Sequence, residues 1–298
     1  MTLKQLHYAV TVADTGNITE AAKRLYIAQP SLTSAIKELE SEYGIVMFKR
    51  GKKGIEVTPE GDEFLGYARQ VLEQVNLIDE RYTGNAHGKM RFFVSSQHYS
   101  FVVEAFVALL KECGGDKYEF HMRETQTFDI IDDVAHLRSE IGILYLNKFN
   151  ETVIRKTLRD NGLTFTTLFK AKPHVFIGKD SPLASKDILT LKDLAPYPRL
   201  SYEQGSHNSF YFSEEILSTV DCDKELIVRD RATLFNLLIG LNGYTICSGV
   251  ISKELNGPSI IAKPLKVDDY MEIGYVLPSS IHPSPLTLKY IEFLKDVI

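Results

Sequence analysis

From Met90 to the C-terminus the chain switches repeatedly between two hydrophobic periods, and this alternation narrows most what it can become. "MRFFVSS" reads as a strand, "YSFVVEAFVALLKEC" as a helix, "KYEFHMRE" as a strand, and after a further helical stretch "EIGILYL" as another strand. A second set follows in "HVFIGK", "RATLFNLLIGL", "GYTICSG" and "MEIGYVL". Strand-like runs that alternate with helical ones predict βαβ units and a parallel sheet. Residues 1 to 58 differ in texture, with short helical patterns and then a Gly/Lys-rich hairpin; 59 to 86 form one long helical pattern that "GNAHGK" interrupts. At 298 residues the chain exceeds the ~250 at which single cores usually split, so more than one folding unit is expected.

Charge and composition exclude several classes. With 44% hydrophobic and 24% charged residues the chain reads as globular, and a formal net charge of -5 means that any nucleic-acid surface must be local. Cys113, Cys222 and Cys247 are far apart and odd in number, which predicts no disulfide framework and a reducing compartment. The start "MTLKQLHYAV" lacks the apolar core of a signal peptide, and no apolar run approaches the ~20 residues that span a bilayer, so a cytoplasmic protein without membrane contact is expected. No GxSxG elbow, HExxH or closely spaced His/Cys/Asp set occurs, and "GNAHGKM" is one residue short of a phosphate loop, with Met90 where Ser or Thr should follow Lys89. These readings predict neither an enzyme nor a metal or cofactor site.

In "GNITEAAKRLYIAQPSLTSAIKELE" two helical patterns follow each other closely. Asn17 can cap the first, with Glu20 completing a capping box, and Pro30 suits the first turn of the second. Leu32, Ile36 and Leu39 fall on one face of that second helix, while Ser31, Ser34 and Lys37 lie on the other. A helix-turn-helix has this layout: small side chains let its second helix enter the major groove, Gln29 can reach base edges, and the serines can bond bases or phosphates. A plain helical hairpin fits the segment equally well. The stretch that follows, "VMFKRGKKGIEVTPEG", shifts the balance, because a basic hairpin carrying Lys49, Arg50, Lys52 and Lys53 beside a helix-turn-helix is placed to lie along phosphate.

In the long helical pattern Phe64, Ala68, Val71, Val75, Ile78 and Tyr82 recur in steps of four and three, an a/d seam that Leu65 and Leu72 widen. An amphipathic helix packed on its own domain would show the same spacing. Polar residues on the other faces favour a dimer seam.

Residues 1 to 86 resemble the winged helix-turn-helix and linker helix of LysR-type transcriptional regulators. The likeness is carried by "NITEAAKRLYIAQPSLTSAIKELE", by "YG" and "MFKR" at the entry to the wing, and by "VTPEGDEFLGYAR"; it extends to the C-terminus. The resemblance implies a multidomain α/β protein: a winged helix-turn-helix over 1 to 58, a linker and dimerisation helix with its hinge over 59 to 89, and a periplasmic-binding-protein-like effector domain over 90 to 298. Lobe one would comprise 90 to 162 and 267 to 298, and lobe two 163 to 266. It also implies a homodimer or homotetramer on a pseudo-palindromic double-stranded operator. Asn17, Gln29, Pro30, Ser31, Ser34, Lys37, Arg50, Lys52 and Lys53 are the DNA-binding candidates. Ser34 stands where the family often has a basic residue, which moves the expected phosphate attraction toward Lys37 and the wing.

In the implied two-lobed fold, strand ends and helix N-termini point into a cleft that suits a small polar or anionic effector. "SSQHY", "ETQT", "SYEQGSHNS" and "GYTICSG" fall at such strand ends. Each can equally cap a helix. The resemblance selects Ser95, Ser96, Gln97, His98, Thr125, Ser206 and Thr245 as effector contacts, with Tyr99 and Glu203 beside them. The competing reading is a cytoplasmic solute-binding or enzymatic α/β protein with a structural helical N-terminal domain.

Overall fold

The computed structural model describes residues 1–51, 54–83, 90–115, 117–207 and 209–298. The chain divides into two compact units, Met1–Gly88 and Lys89–Ile298.

The first unit opens with α1 (Leu3–Thr15), α2 (Ile18–Arg24) and α3 (Gln29–Tyr43). Thr2 and Gln5 form a reciprocal capping box on α1. On α2, Asn17 Oδ1 accepts the N–H groups of Thr19 and Glu20, as its sequence position predicts, whereas the Glu20 carboxylate lies 3.9 Å from Lys23. Helix α3 has Ala28 as its N-cap, Pro30 in its first turn and Gly44 as its C-cap, whose φ of 67° suits glycine. Leu32, Ile36 and Leu39 are buried with Ala9, Val12, Ala21 and Ala22 in one core, and Ala21 and Ala22 let the helices approach closely.

Strands β1 (Phe48–Gly51) and β2 (Gly54–Val57) form an antiparallel hairpin. Ile55 N–H donates to Gly16 O at 2.9 Å, pinning the wing to the end of α1. Gly54 is required there, because its φ is 138° and a Cβ would stand 2.6 Å from Gly16 O. Helix α4 (Pro59–Thr83) then starts on Thr58, whose hydroxyl accepts Gly61 N–H at 2.9 Å. A side chain at Gly61 would meet Met47 O at 2.3 Å, so "TPEG" seats the helix against the wing.

Helix α4 divides in role along its length. Leu65 and Ala68 are buried in the helix-turn-helix unit, Ala68 being 2% exposed, and Phe64 packs on the same core and beside Tyr43. Ala68 therefore leaves the expected seam, and for this first half packing on its own domain is the correct reading. Val71 and Ile78 stand 38% and 57% exposed, Val75 is half-buried, and the Tyr82 side chain lies outside the described residues. So do Lys52 and Lys53 and the expected hinge at 84 to 89.

The second unit contains β3 (Met90–Ser96), α5 (Ser100–Cys113), β4 (Tyr118–Glu124), α6 (Thr127–Ala135), β5 (Ile141–Leu146), α7 (Glu151–Asp160) and β6 (Leu163–Ala171). It continues through β7 (His174–Gly178), α8 (Leu191–Leu194), β8 (Arg199–Tyr202), β9 (Glu225–Val228), α9 (Arg231–Gly240), β10 (Thr245–Cys247), α10 (Lys253–Asn256), β11 (Ile260–Pro264), β12 (Met271–Pro278) and α11 (Pro285–Asp296). The first lobe is built on the sheet β4-β3-β5-β12-β6. Its first three strands are parallel, as βαβ units require, but β12 runs antiparallel to both β5 and β6, which corrects the expected all-parallel sheet to a mixed one. The returning strand enters from the other lobe and needs no crossover helix.

The second lobe holds the sheet β10-β7-β11 and the parallel pair β8-β9, joined by a bridge between Arg199 and Tyr244. Because β6 belongs to the first sheet, the chain enters lobe two after Ala171 and not at 163. The return to the first sheet falls between β11 and β12. Phe92, Phe101, Leu109, Ile143 and Tyr290 are among the buried residues of the largest core.

Candidate nucleic-acid interface and effector cleft

Burial of Leu32, Ile36 and Leu39 turns the other face of α3 outward. Gln29, Pro30, Ser31, Ser34 and Lys37 are all exposed, as is Arg50 on the wing. Gln29 Oε1 lies 3.4 Å from the Thr19 hydroxyl, which ties the start of α3 to the start of α2. Ser34 Oγ donates to Glu38 at 3.3 Å, so its own proton is engaged and its oxygen is left as an acceptor. Asn17 is exposed, with its carbonyl oxygen occupied as the cap of α2.

Between the lobes of the second unit lies a cleft whose walls include His98 and Tyr99 from lobe one and Tyr202, Glu214, Arg231 and Thr245 from lobe two. Its volume is about 40 Å³, room for only about three waters. Pairs contributed by opposite lobes hold it nearly shut. His98 Nδ1 lies 2.9 Å from Glu214 Oε2, and Arg231 Nη2 lies 3.1 Å from Glu124 Oε1. The His98 ring stacks on Tyr202 with centroids 3.8 Å apart. Further out, Thr127 N–H donates to Gln204, Phe128 stacks on His207, and Phe149 on Tyr211.

The charges in the cleft are balanced by proximity. Burial by itself would lower the His98 pKa; the charge and hydrogen bond of Glu214, with Glu124 and Glu215, more than offset it and raise it above the ordinary value. Burial first, and the Glu214 charge second, push the neighbouring Glu215 carboxyl up to about 8. Its Oε1 accepts Tyr202 N–H at 3.0 Å. Burial likewise raises Glu124, against the pull of Arg231 and His98. Tyr99 and Tyr202 are held well above the ordinary phenol value by burial and the nearby glutamates, so both remain neutral donors.

Of the seven effector candidates, His98 and Thr245 line this cleft. The other five do not, for identifiable reasons. Ser95 is fully buried, with Oγ 2.7 Å from Asp133 and from Ser139, in a network that Arg123 and Arg138 complete on Asp133. Ser96 Oγ donates to Gln97 O. Gln97 is buried too: its Oε1 accepts Tyr145 N–H and the Tyr99 hydroxyl, and its Nε2 donates to Thr127. Thr125 lies 3.3 Å from Asp129 one turn into α6, and Ser206 is exposed beside His207. Glu203 pairs with Arg229 at 2.6 Å. Sequence reasoning missed Glu214, Glu215 and Arg231. The acidic pair in "SEEIL" sits next to an isoleucine that proves buried, and that juxtaposition was the one signal available.

A wing-bearing helix-turn-helix, followed by a two-lobed α/β unit with a polar cleft, defines a DNA-binding transcription regulator with an effector-binding domain. Residues 3–62 match the bacterial regulatory helix-turn-helix protein, lysR family, and residues 86–298 match the LysR substrate binding domain. The chain belongs to the LysR family of transcriptional regulators, and the reading as a solute-binding or enzymatic protein falls away. It is 27% identical over 245 residues to the HTH-type transcriptional regulator AlsR of Bacillus subtilis (strain 168), covering 81% of this chain and 77% of that protein. Its fold is similar to that of a full-length OxyR variant from Pseudomonas aeruginosa, with a TM-score of 0.67 at 22% identity over 100% of this chain and 97% of that one. It is also similar to full-length CbnR in complex with its target DNA, with a TM-score of 0.59 at 18% identity over the whole of both chains. Among the described residues, no helix is long and apolar enough to cross a membrane.

Proposed function

We propose that this regulator reads a pseudo-palindromic operator as a homo-oligomer in the cytoplasm, and that a small polar metabolite entering the interlobe cleft changes how it does so. The exposed face of α3, from Gln29 to Lys37, contacts base edges and phosphate, and Arg50 with Lys52 and Lys53 follows the backbone. The exposed half of α4, from Val71 through Val75 to Ile78, pairs two chains.

The crossing of two ion pairs between lobes, His98 with Glu214 and Arg231 with Glu124, carries the effector reading. A cleft of about 40 Å³ admits a metabolite only by opening, and opening separates both pairs. A ligand with a positive group for Glu214 and a negative group for Arg231 replaces what is lost, so a zwitterion fits better than a simple anion. Because it meets partners from both lobes, its affinity differs between the open and closed arrangements, as any effector's must.

The test is fluorescence anisotropy of the full chain on a duplex from the gene's own upstream region, titrated with amino acids and with dicarboxylates. A zwitterion should shift the operator isotherm, and Glu214→Gln and Arg231→Ala should each move that response to higher concentration. A response that both variants leave unchanged places the effector elsewhere.

A further inference from the structure

Arg199, the first residue of β8, is a cation buried to 4% exposure without an ion-pair partner among the described residues. Its Nη1 donates to the carbonyl oxygens of Leu217 at 3.2 Å and Val220 at 3.1 Å. Its Nε–H has no acceptor among the described residues. A buried guanidinium is costly unless its donors and its charge are both met, and pairing with a carboxylate meets both. The Glu215 carboxyl feels the Arg199 charge, yet burial pushes it up to about 8. Near neutral pH it is largely protonated and offsets little of the guanidinium's charge.

Arg199 lines a cavity of about 150 Å³, well above the 40 Å³ of the interlobe cleft. Leu217, Val220, Tyr244 and Ile246 wall it. An apolar-walled cavity of this size accepts a body about as large as benzene. Ala195 stands exposed on its lining, and Asp221 and Asp223 are exposed there too. We propose that this cavity is a second ligand site, which takes a small monocarboxylate with its carboxylate against the Arg199 guanidinium and its apolar body against Leu217, Val220 and Tyr244. The two aspartates repel a second negative charge and so select against dicarboxylates.

The site is placed to influence the cleft. Arg199 fastens the segment that carries Glu214 and Glu215, through the carbonyls of Leu217 and Val220, and Leu217 itself has a φ of 61°. A non-glycine residue stays in that left-handed region only where its surroundings hold it. A carboxylate on Arg199 therefore alters the support of the segment that presents Glu214 to His98, and this makes the cavity a second input to lobe closure.

The experiment is isothermal titration of the full chain with isovalerate, with the neutral isostere isovaleramide and with the dianion 3-methylglutarate. Isovalerate should bind, and the other two at least about tenfold more weakly, the loss expected when a charge-assisted hydrogen bond is removed. Arg199→Gln should abolish the preference for the acid over the amide. Because that variant also loses bonds to two carbonyls and can unfold, Ala195→Trp supplies the independent arm: it closes the cavity from an exposed position and should abolish isovalerate binding with the melting temperature retained. Three results overturn the proposal: no isovalerate binding to the wild type, equal affinity for acid and amide, or isovalerate affinity unchanged in Ala195→Trp.

Discussion

His98 Nδ1 and Glu214 Oε2 lie 2.9 Å apart across the two lobes, with side chains only 4% and 5% exposed. The pair is a latch whose halves come from sequence positions 116 residues apart. Removing one half strands the other, and an uncompensated buried charge costs about 3–5 kcal/mol. His98→Ala should destabilise the effector domain by an amount of that order. Glu214→Gln in the same background should recover much of it, because no buried charge then remains. Urea denaturation of the two single variants and the double variant gives the coupling. A value indistinguishable from zero would mean that the pair does not hold the lobes together.

The same interactions make stability depend on pH, and the two titrating groups act in one direction. The raised His98 pKa stabilises the fold fully below the unfolded value of ~6.5 and loses that contribution as pH rises through the folded value. Glu215 ordinarily titrates at 4.5 and is pushed up to about 8, so between these values the folded state binds more protons than the unfolded one, and stability again falls as pH rises. Thermal denaturation of the full chain should show the effector-domain transition moving down between about pH 6.5 and about pH 8. Glu215→Gln removes one titrating carboxyl and keeps an acceptor for Tyr202 N–H, so it should shrink this decline. A decline of wild-type size in the variant would exclude Glu215 as a cause.

On the DNA side, side chains that meet phosphate and side chains that meet bases predict different kinds of loss. Replacing Arg50, Lys52 and Lys53 together with alanine should weaken binding to every duplex and flatten the log-log salt dependence by ~0.9 for each phosphate that is no longer neutralised. Gln29→Ala should instead reduce preference for the operator over random DNA, by about 1–3 kcal/mol if the side chain grips a base through two bonds. Salt titrations on both duplexes separate the effects. An unaltered slope in the triple variant removes the wing from the interface, and equal Gln29→Ala losses on both duplexes assign that residue to the DNA backbone.

The two halves of α4 should respond differently to charge. Val71→Asp and Ile78→Asp act on exposed apolar side chains, so the folded unit tolerates them while a helix-helix seam does not. Sedimentation should show smaller assemblies with melting unchanged. Ala68→Asp puts a carboxylate at a position only 2% exposed, which should cost several kcal/mol and unfold the DNA-binding unit. If Val71→Asp and Ile78→Asp both sediment as the wild type does, α4 is not the principal interface between chains.

What the sequence determined by itself is everything whose physics is local. The turn at "YIAQP", the Asn17 cap, the buried ladder of Leu32, Ile36 and Leu39 and the strand and helix patterns after Met90 all follow from spacings of a few residues; the basic wing favoured a helix-turn-helix over a plain hairpin, and the resemblance to LysR-type regulators supplied the two-lobed fold and the regulator reading. Periodicity could not say which partner an apolar face meets: Ala68 and Val71 share one seam on the helical wheel, but only packing shows that the first is buried within its own unit. Nor could chain order assign β6 to the first lobe, since that depends on its pairing with β12 some hundred residues later. The effector cleft was the least legible part. Strand-end serines and threonines look alike in sequence whether they bind a ligand or satisfy a neighbour, and Ser95, Ser96 and Gln97 proved to be committed to internal bonds. Glu214, Glu215 and Arg231 became cleft residues through the approach of two lobes, and burial then raised the Glu215 pKa; both the approach and the desolvation are properties of the assembled tertiary structure.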